Sequence, residues 1–331
     1  MPHINVAIAG FGLVGRTIAA LLLERIPTYR DRFGMEVRLV AVCRSDRGTG
    51  DARGLSAERL ETLDRESYGP DFLASFSPHV LIEAGPSNFR DGEPGLGYLE
   101  PALRRGSDVI VVSKAALWLD GPRLRKLATE SGSRIKLSAA AGAALPALDL
   151  LEHSLRGCEV TKIEGIFTAA TNYLLSAMAS GTPYAEALES VQRAGIAERD
   201  PTNDVQGRDT AAKLLLIANF GLGLMLSPEA ISVSGLETAT PATMAQWREQ
   251  GRTPRLTARL ENDAGSWRAR VGVEALPPDD PLSRVAGKDK AVRITSREMG
   301  EITAIGCGPE PMATAAAALK DLEALLAHRR A

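Results

Sequence analysis

Short apolar runs recur through the N-terminal part of the chain, and segments with helical apolar spacing separate them. Residues 5–9, Asn-Val-Ala-Ile-Ala, form one run, and residues 36–43, 79–84, 108–112 and 134–137 form others. Runs this short and this apolar predict parallel strands buried on both faces. Residues 16–25, 101–105 and 124–130 have helical spacing. The first of these is expected to stop before Pro27, and Pro101 fits a first helical turn. Residues 50–78 are polar and predict helix or irregular chain. Strand and helix alternate over the first 140 or so residues, which predicts a doubly wound parallel sheet of the Rossmann type.

The pattern changes after Ser138. Residues 139–146, Ala-Ala-Ala-Gly-Ala-Ala-Leu-Pro, read as a small-residue loop that leads into a helix ending near Arg156. A strand at 160–167, helices at 173–178 and 184–194, and strand-like runs at 256–260 and 267–273 predict a second, mixed α/β domain. Residues 250–254 and 277–281 read as turns. A long alanine-rich helix at 312–327 is expected to return to the first domain. The expected division is therefore 1–137 together with 306–331, and 138–305.

Composition narrows the class. A net charge of −2 over 331 residues gives no electrostatic case for nucleic acid or an anionic membrane. The three cysteines, Cys43, Cys158 and Cys307, show neither a CxxC pair nor metal-ligand spacing. That favours a reducing compartment. The start of the chain runs directly into a strand without a signal-peptide pattern, and no apolar run approaches membrane-spanning length. The expectation is a soluble cytoplasmic protein.

Gly10-Phe11-Gly12-Leu13-Val14-Gly15 follows the first predicted strand and opens a predicted helix. That is the setting in which GxGxxG binds a dinucleotide. The first glycine permits the turn, the second lets a pyrophosphate approach the backbone, and the third lets helix and strand pack. Ligands of such sheets lie beyond the carboxyl ends of the strands. The loops Gly85-Pro86-Ser87-Asn88 and Ser113-Lys114 join the glycine loop there, with Lys114 aimed at the crevice. The second strand ends in Cys43-Arg44-Ser45-Asp46-Arg47. Arg44, Ser45 and Arg47 suit a ribose 2′-phosphate and favour NADP(H), while Asp46 keeps NAD(H) open.

A second constellation lies at 198–213, with carboxylates at Glu198, Asp200, Asp204 and Asp209 and a closing lysine, Lys213. Pro201 and Gly207 mark loop, and 209–220 reads as helix. Asp209 and Lys213 are four apart and share a helical face. A lysine that leads into Leu214-Leu215-Leu216-Ile217 is partly desolvated, and burial favours its neutral form, which suits proton transfer to a substrate oxygen. The plainer alternative is a helix start with acids at its positive dipole end and an ordinary ion pair.

These residues, with Asp91-Gly-Glu-Pro94, Ser113-Lys-Ala-Ala-Leu117, Thr171-Asn-Tyr173 and the block from Ala194 through Asp200-Pro201 and Asp204 to Lys213, resemble the homoserine dehydrogenase family in its short form without an ACT domain. The likeness runs in order over nearly the whole chain. It implies a catalytic and dimerisation domain behind the dinucleotide domain, a homodimer, and hydride transfer between a nicotinamide and the carbonyl of aspartate 4-semialdehyde. It implies that Lys213 and Lys114 move the proton and that Asp209 orients the substrate hydroxyl or Lys213. Glu198 and Asp204 would hold the amino-acid end, with Thr171 and Ala170 beside the substrate. Gly308 and Glu310 would lie in the late cofactor loop.

The chain departs from the family pattern around the substrate. Thr168-Ala169-Ala170 replaces Asn-Gly-Thr, and Ile196 replaces a tyrosine. Ser138-Ala-Ala-Ala141 stands at the family's monovalent-cation loop, so no metal site is carried over. Glu310 replaces a glycine of the late loop. Two alternatives therefore stay open: a related oxidoreductase acting on another amino- or hydroxy-acid, and a cofactor-binding regulatory protein without turnover.

Overall fold

The apolar runs of the N-terminal part lie side by side as parallel strands. The structure, a computed structural model, describes residues 1–197 and 200–330. Its strands there are β1 (His3–Ala9), β2 (Glu36–Cys43), β3 (Arg47–Gly50), β4 (Asp64–Arg65), β5 (Val80–Glu83), β6 (Asp108–Val111) and β7 (Ile135–Lys136). They form one sheet in the order β4-β3-β2-β1-β5-β6-β7. Strands β2, β1, β5, β6 and β7 run parallel, whereas β3 and β4 are antiparallel additions at the edge. Strand β4 lies in the stretch, 50–78, expected to be helical or irregular, and β3 leads directly into it. Every residue of β5 and β6 is buried, which requires cover on both faces of the sheet. Strand order reverses between β1 and β5, and that reversal is where ligands of open α/β sheets bind.

Helix α1 (Leu13–Phe33) runs through Pro27 rather than stopping before it. Tyr29 and Phe33, beyond the proline, are buried in the core, so packing outweighs the lost backbone bond, whose cost is roughly 3 kcal/mol. Helices α2 (Gly69–Ala74), α3 (Gly95–Arg104), α4 (Ala115–Ser131) and α5 (Ser138–Ala141) follow. Because α3 begins at Gly95, Pro101 lies inside the helix and not in its first turn. The expected loop at 139–146 begins instead as the helical turn α5, whose Ser138 is held by a buried aspartate described below.

The second compact unit comprises Leu145–Cys307. Its sheet joins β8 (Val160–Ile166), β9 (Ile231–Val233), β10 (Thr253–Asp263), β11 (Ser266–Leu276), β12 (Lys290–Ser296) and β13 (Gly300–Gly306) in the order β13-β12-β8-β10-β11-β9. All pairs are antiparallel except β11 with β9. Its helices are α6 (Ala147–Asp149), α7 (Ala169–Ala179), α8 (Tyr184–Arg193), α9 (Thr202–Val205), α10 (Arg208–Leu216) and α11 (Pro241–Glu249). Helices α7 and α10 both pack on β10. The hairpin of β12 and β13, with its exposed outer strand, had no clear sequence signal.

The first unit, Met1–Ala144, is completed by Gly308–Ala331. The closing helix α12 (Met312–Arg330) packs along α1, and Leu319, Leu322, Leu325 and Leu326 enter the same core as Ile8 and Leu22. Asp321 on α12 is 3% exposed. It accepts hydrogen bonds from the backbone N–H of Ser138 (2.8 Å) and from its hydroxyl (2.7 Å), which fixes α5.

Candidate functional site

At the switch point between β1 and β5 lies a cleft of about 700 Å³. Gly10, Phe11, Gly12, Leu13, Val14, Arg44, Ser45, Gly85 and Pro86 from the predicted set line it, and Glu83, Glu93, Pro94 and Tyr98 join them. The three glycines differ physically. A Cβ on Gly10 (φ 93°) would collide with the Ala84 carbonyl, and one on Gly15 with the Gly10 carbonyl oxygen. A Cβ on Gly12 would meet nothing within 4 Å, so Gly12 leaves room in the cleft rather than relieving a clash. The N–H groups of Gly10 and Phe11 both bond the Cys43 carbonyl, at 2.9 and 3.0 Å, which ties the loop to the end of β2. Gly12 caps α1 without a side-chain hydrogen bond, so the first-turn N–H groups remain for an anion. This open cradle fits a dinucleotide pyrophosphate.

The turn between β2 and β3 brings Arg44 and Ser45 to the cleft. Arg47 instead pairs with Asp46 at 2.6 Å and is not among the lining residues. Tyr98, opposite, has its hydroxyl 3.5 Å from the buried Cys43 thiol, and burial pushes both groups upward. At the base of the cleft Glu83 is fully buried. Burial pushes its carboxyl up, against hydrogen bonds from Ser113 and Gly85. The N–H of Lys114, which caps α4, donates to the Ser87 hydroxyl at 3.0 Å.

The second unit holds the lysine–carboxylate pair. Lys213 Nζ lies 2.6 Å from Asp209 Oδ2, and their side chains are only 12% and 16% exposed. The ammonium also donates to the Phe167 carbonyl at 2.8 Å. Thr168 adds its hydroxyl, 3.3 Å from Asp209 Oδ2 and 3.0 Å from the Thr210 hydroxyl. Local sequence explains the arrangement. Gly207 caps α10 in a left-handed conformation (φ 78°), and Asp209 and Lys213 follow on one face. Gly165 on β8 leaves the space that the Phe167 ring fills, since a Cβ there would collide with it. The chain then turns into α7 and leaves the Phe167 carbonyl to accept the ammonium.

The remaining predicted residues are dispersed. Thr171 is fully buried, and its hydroxyl donates to the Thr168 carbonyl at 2.9 Å; Ala170 is also buried. Asp204 lies within the short helix α9, half-buried. Glu198 lies outside the described residues. Glu310 is exposed and accepts from the Thr314 hydroxyl at 2.6 Å, and Gly308 packs tightly toward Ala313. Sequence reasoning passed over Glu83 and Tyr98 and marked Thr168 only as a departure from the family pattern. A lone acid closing the run Val-Leu-Ile was the available signal for Glu83; Tyr98 reaches the cleft from α3 and had none. The second unit also has a cavity of about 690 Å³ between the end of α7 and α11, but no predicted site residue lines it. Among the described residues, no group of three or more His, Cys, Asp or Glu could hold a metal ion, and no helix is long and apolar enough to cross a membrane.

A dinucleotide cleft at the switch point of a doubly wound sheet, followed by a second domain with a half-buried lysine–carboxylate pair, belongs to the nicotinamide-dependent dehydrogenases that act on a CH–OH group. The family model described as homoserine dehydrogenase matches residues 146–322, and that described as homoserine dehydrogenase, NAD binding domain matches residues 10–138. The chain belongs to the homoserine dehydrogenase family. It is 29% identical to the NAD(+)-dependent homoserine dehydrogenase of Pseudomonas canavaninivorans, over 97% of this chain and 96% of that one. It is 28% identical to the homoserine dehydrogenase of Methanocaldococcus jannaschii, over 96% and 97% of the two chains. Among solved structures, a putative homoserine dehydrogenase from Archaeoglobus fulgidus superposes with a TM-score of 0.87 at 31% identity, covering 98% of this chain and 99% of the other.

Proposed function

We propose that the protein interconverts L-homoserine and L-aspartate 4-semialdehyde, with Lys213 as the group that moves the proton. The observation that carries this reading is the Lys213 ammonium held between Asp209 and the Phe167 carbonyl. When bound, the nicotinamide supplies or accepts the hydride. As negative charge grows on the substrate carbonyl oxygen, the Lys213 ammonium stabilises it and then releases a proton to it. In the reverse direction neutral Lys213 takes the proton from the hydroxyl. Asp209 orients the lysine through the ion pair at 2.6 Å. Thr168 donates to the same oxygen of Asp209 that Lys213 contacts.

Lys114 is assigned the second proton-handling position, at the carboxyl end of β6. Glu198 pairs the substrate ammonium, Asp204 assists it, and the first turn of α7 at Ala170 and Thr171 lies alongside the substrate. Of the two nicotinamide cofactors we favour NADP(H), because Arg44 and Ser45 meet at the cleft and a guanidinium suits a 2′-phosphate. Gly308 and Glu310 border the cofactor in this reading. The working form is a cytoplasmic homodimer, which light scattering would test.

The decisive assay mixes purified protein with L-homoserine and either NADP⁺ or NAD⁺ at alkaline pH and follows reduced-cofactor absorbance. Turnover that is lost in Lys213→Ala supports the reading. A second reading, turnover of another hydroxy-amino acid, draws on Ala169 and Ala170, which offer no hydroxyl where the family has one, and on the Thr171 hydroxyl being spent on its own helix. Activity on such compounds with none on L-homoserine would replace the first reading with the second.

A further inference from the structure

We propose that Glu83 is a positioning residue that fastens the loop after β5, which walls the cofactor cleft, to the loop after β6 and thereby sets Lys114. It rests on the dehydrogenase reading for its effect on turnover, but not for its effect on cofactor binding. Glu83 is the last residue of β5, fully buried, and lines the cleft. Its Oε1 accepts the N–H of Gly85 at 2.8 Å, within its own loop. Its Oε2 accepts the hydroxyl of Ser113 at 2.6 Å, from the loop that follows β6. Immediately after Ser113, Lys114 returns the connection, with its N–H on the Ser87 hydroxyl. The two loops are thus stitched in both directions, from β5 to β6 through Glu83 and from β6 back through Ser87.

A fully buried carboxyl is a costly way to join two loops, since it must be desolvated. An apolar contact would join them more cheaply, as replacements of buried charged groups by apolar ones show. What the carboxyl adds is direction. Two acceptor oxygens on one rigid fork fix the Gly85 N–H and the Ser113 hydroxyl relative to each other. A Cβ on Gly85 would stand 2.9 Å from Oε1, so the carboxylate also sets how closely the glycine backbone approaches. Gly85 and Pro86 are cleft wall, and Ser113 is the residue from which Lys114 springs. Displacing Glu83 shifts the cofactor wall and the lysine together.

The test uses the intact protein and four variants: Glu83→Ala, Glu83→Gln, Ser113→Ala and the Glu83→Ala/Ser113→Ala double. Dissociation constants for NADPH and NADH come from nicotinamide fluorescence, and kcat and KM from steady-state turnover. Glu83→Ala is expected to weaken cofactor binding and lower kcat by roughly tenfold each, about one buried hydrogen bond, with the amino-acid KM within twofold. Ser113→Ala should show a smaller loss of the same kind, and the double variant should be no worse than Glu83→Ala. Glu83→Gln should recover most of the binding, because an amide oxygen still accepts the Gly85 N–H. Additive losses in the double variant, or losses confined to Tm with dissociation constants unchanged, overturn the proposal. Should Glu83→Ala fail to fold, a Ser113→Ala protein with unaltered cofactor binding and kcat overturns it equally. If the protein turns over no homoserine yet binds NADPH, the function proposed above fails while the binding arm still decides the role of Glu83.

Discussion

The ammonium of Lys213 and the carboxylate of Asp209 meet at 2.6 Å, one turn apart on α10. Most i,i+4 pairs lie on solvated helix faces and contribute only a few tenths of a kcal/mol. This one is largely shielded, and a backbone carbonyl of a different element completes it. Truncating Lys213 to alanine is expected to lower kcat by about 10²- to 10⁴-fold, the range of a lost general acid–base group. Lys213→Arg should not restore it, because a guanidinium does not release its proton. Asp209→Asn should cost less, on the order of tenfold to a hundredfold, since it disorients the lysine without removing it. Initial rates at saturating L-homoserine and cofactor check all three. A Lys213→Ala enzyme within tenfold of the parent would exclude the lysine from the chemistry.

The proposed preference for NADP(H) makes one arginine the test of cofactor choice. Arg44 lines the cleft, whereas Arg47 is engaged by Asp46. Arg44→Ala is expected to reduce the ratio of kcat/KM for NADP⁺ to that for NAD⁺ by roughly tenfold to a hundredfold, the equivalent of one charge-assisted hydrogen bond. Arg47→Ala should change the ratio much less. Equal effects of the two substitutions would mean that neither reads the 2′-phosphate through the cleft.

How much of this was readable beforehand differs by element. The parallel strands β1, β2, β5 and β6 were legible because each is mostly buried and so carries a largely apolar run, whereas β7 is two half-buried residues. The glycine loop was legible because its three positions carry distinct backbone demands at Gly10, Gly12 and Gly15. The span of α1 was not, because Pro27 is a local stop signal that only the burial of Tyr29 and Phe33 overrides. The hairpin of β3 and β4 was hidden in a polar stretch without alternation. At the site, the Asp209–Lys213 pair followed from spacing alone, but its partners did not. A backbone carbonyl such as that of Phe167 has no residue signature, and Thr168 had been read only as a departure from a family pattern.

The glycine geometry separates binding from folding. Gly12→Ala adds a methyl group into open space at the cleft, so Tm should stay within a few degrees while NADPH affinity falls at least tenfold. Gly15→Ala drives a methyl group into the Gly10 carbonyl oxygen, an overpacking that costs about 1–3 kcal/mol and should lower Tm in the absence of cofactor. Thermal melts with and without NADPH distinguish the two. If Gly12→Ala lowers the melting temperature of the cofactor-free protein as far as Gly15→Ala does, the open-cradle account fails.

The clasp between Asp321 and Ser138 predicts a pH signature of stability. Burial holds the Asp321 carboxyl above its ordinary value, against the hydrogen bonds from Ser138. Its folded pKa therefore exceeds its unfolded pKa of about 3.9, and the folded state binds the proton more tightly. Well below the unfolded pKa both states are protonated and the group adds no pH-dependent penalty. As pH rises through the folded pKa the desolvated carboxylate forms, and its contribution turns against folding. Asp321→Asn removes the titration while sacrificing one of the two acceptor contacts to Ser138. The difference in Tm, variant minus parent, is therefore expected to become more positive between pH 4 and pH 8, whatever its sign at either end. A difference that stays flat across that interval would show that Asp321 titrates no differently in the folded protein than in the unfolded chain.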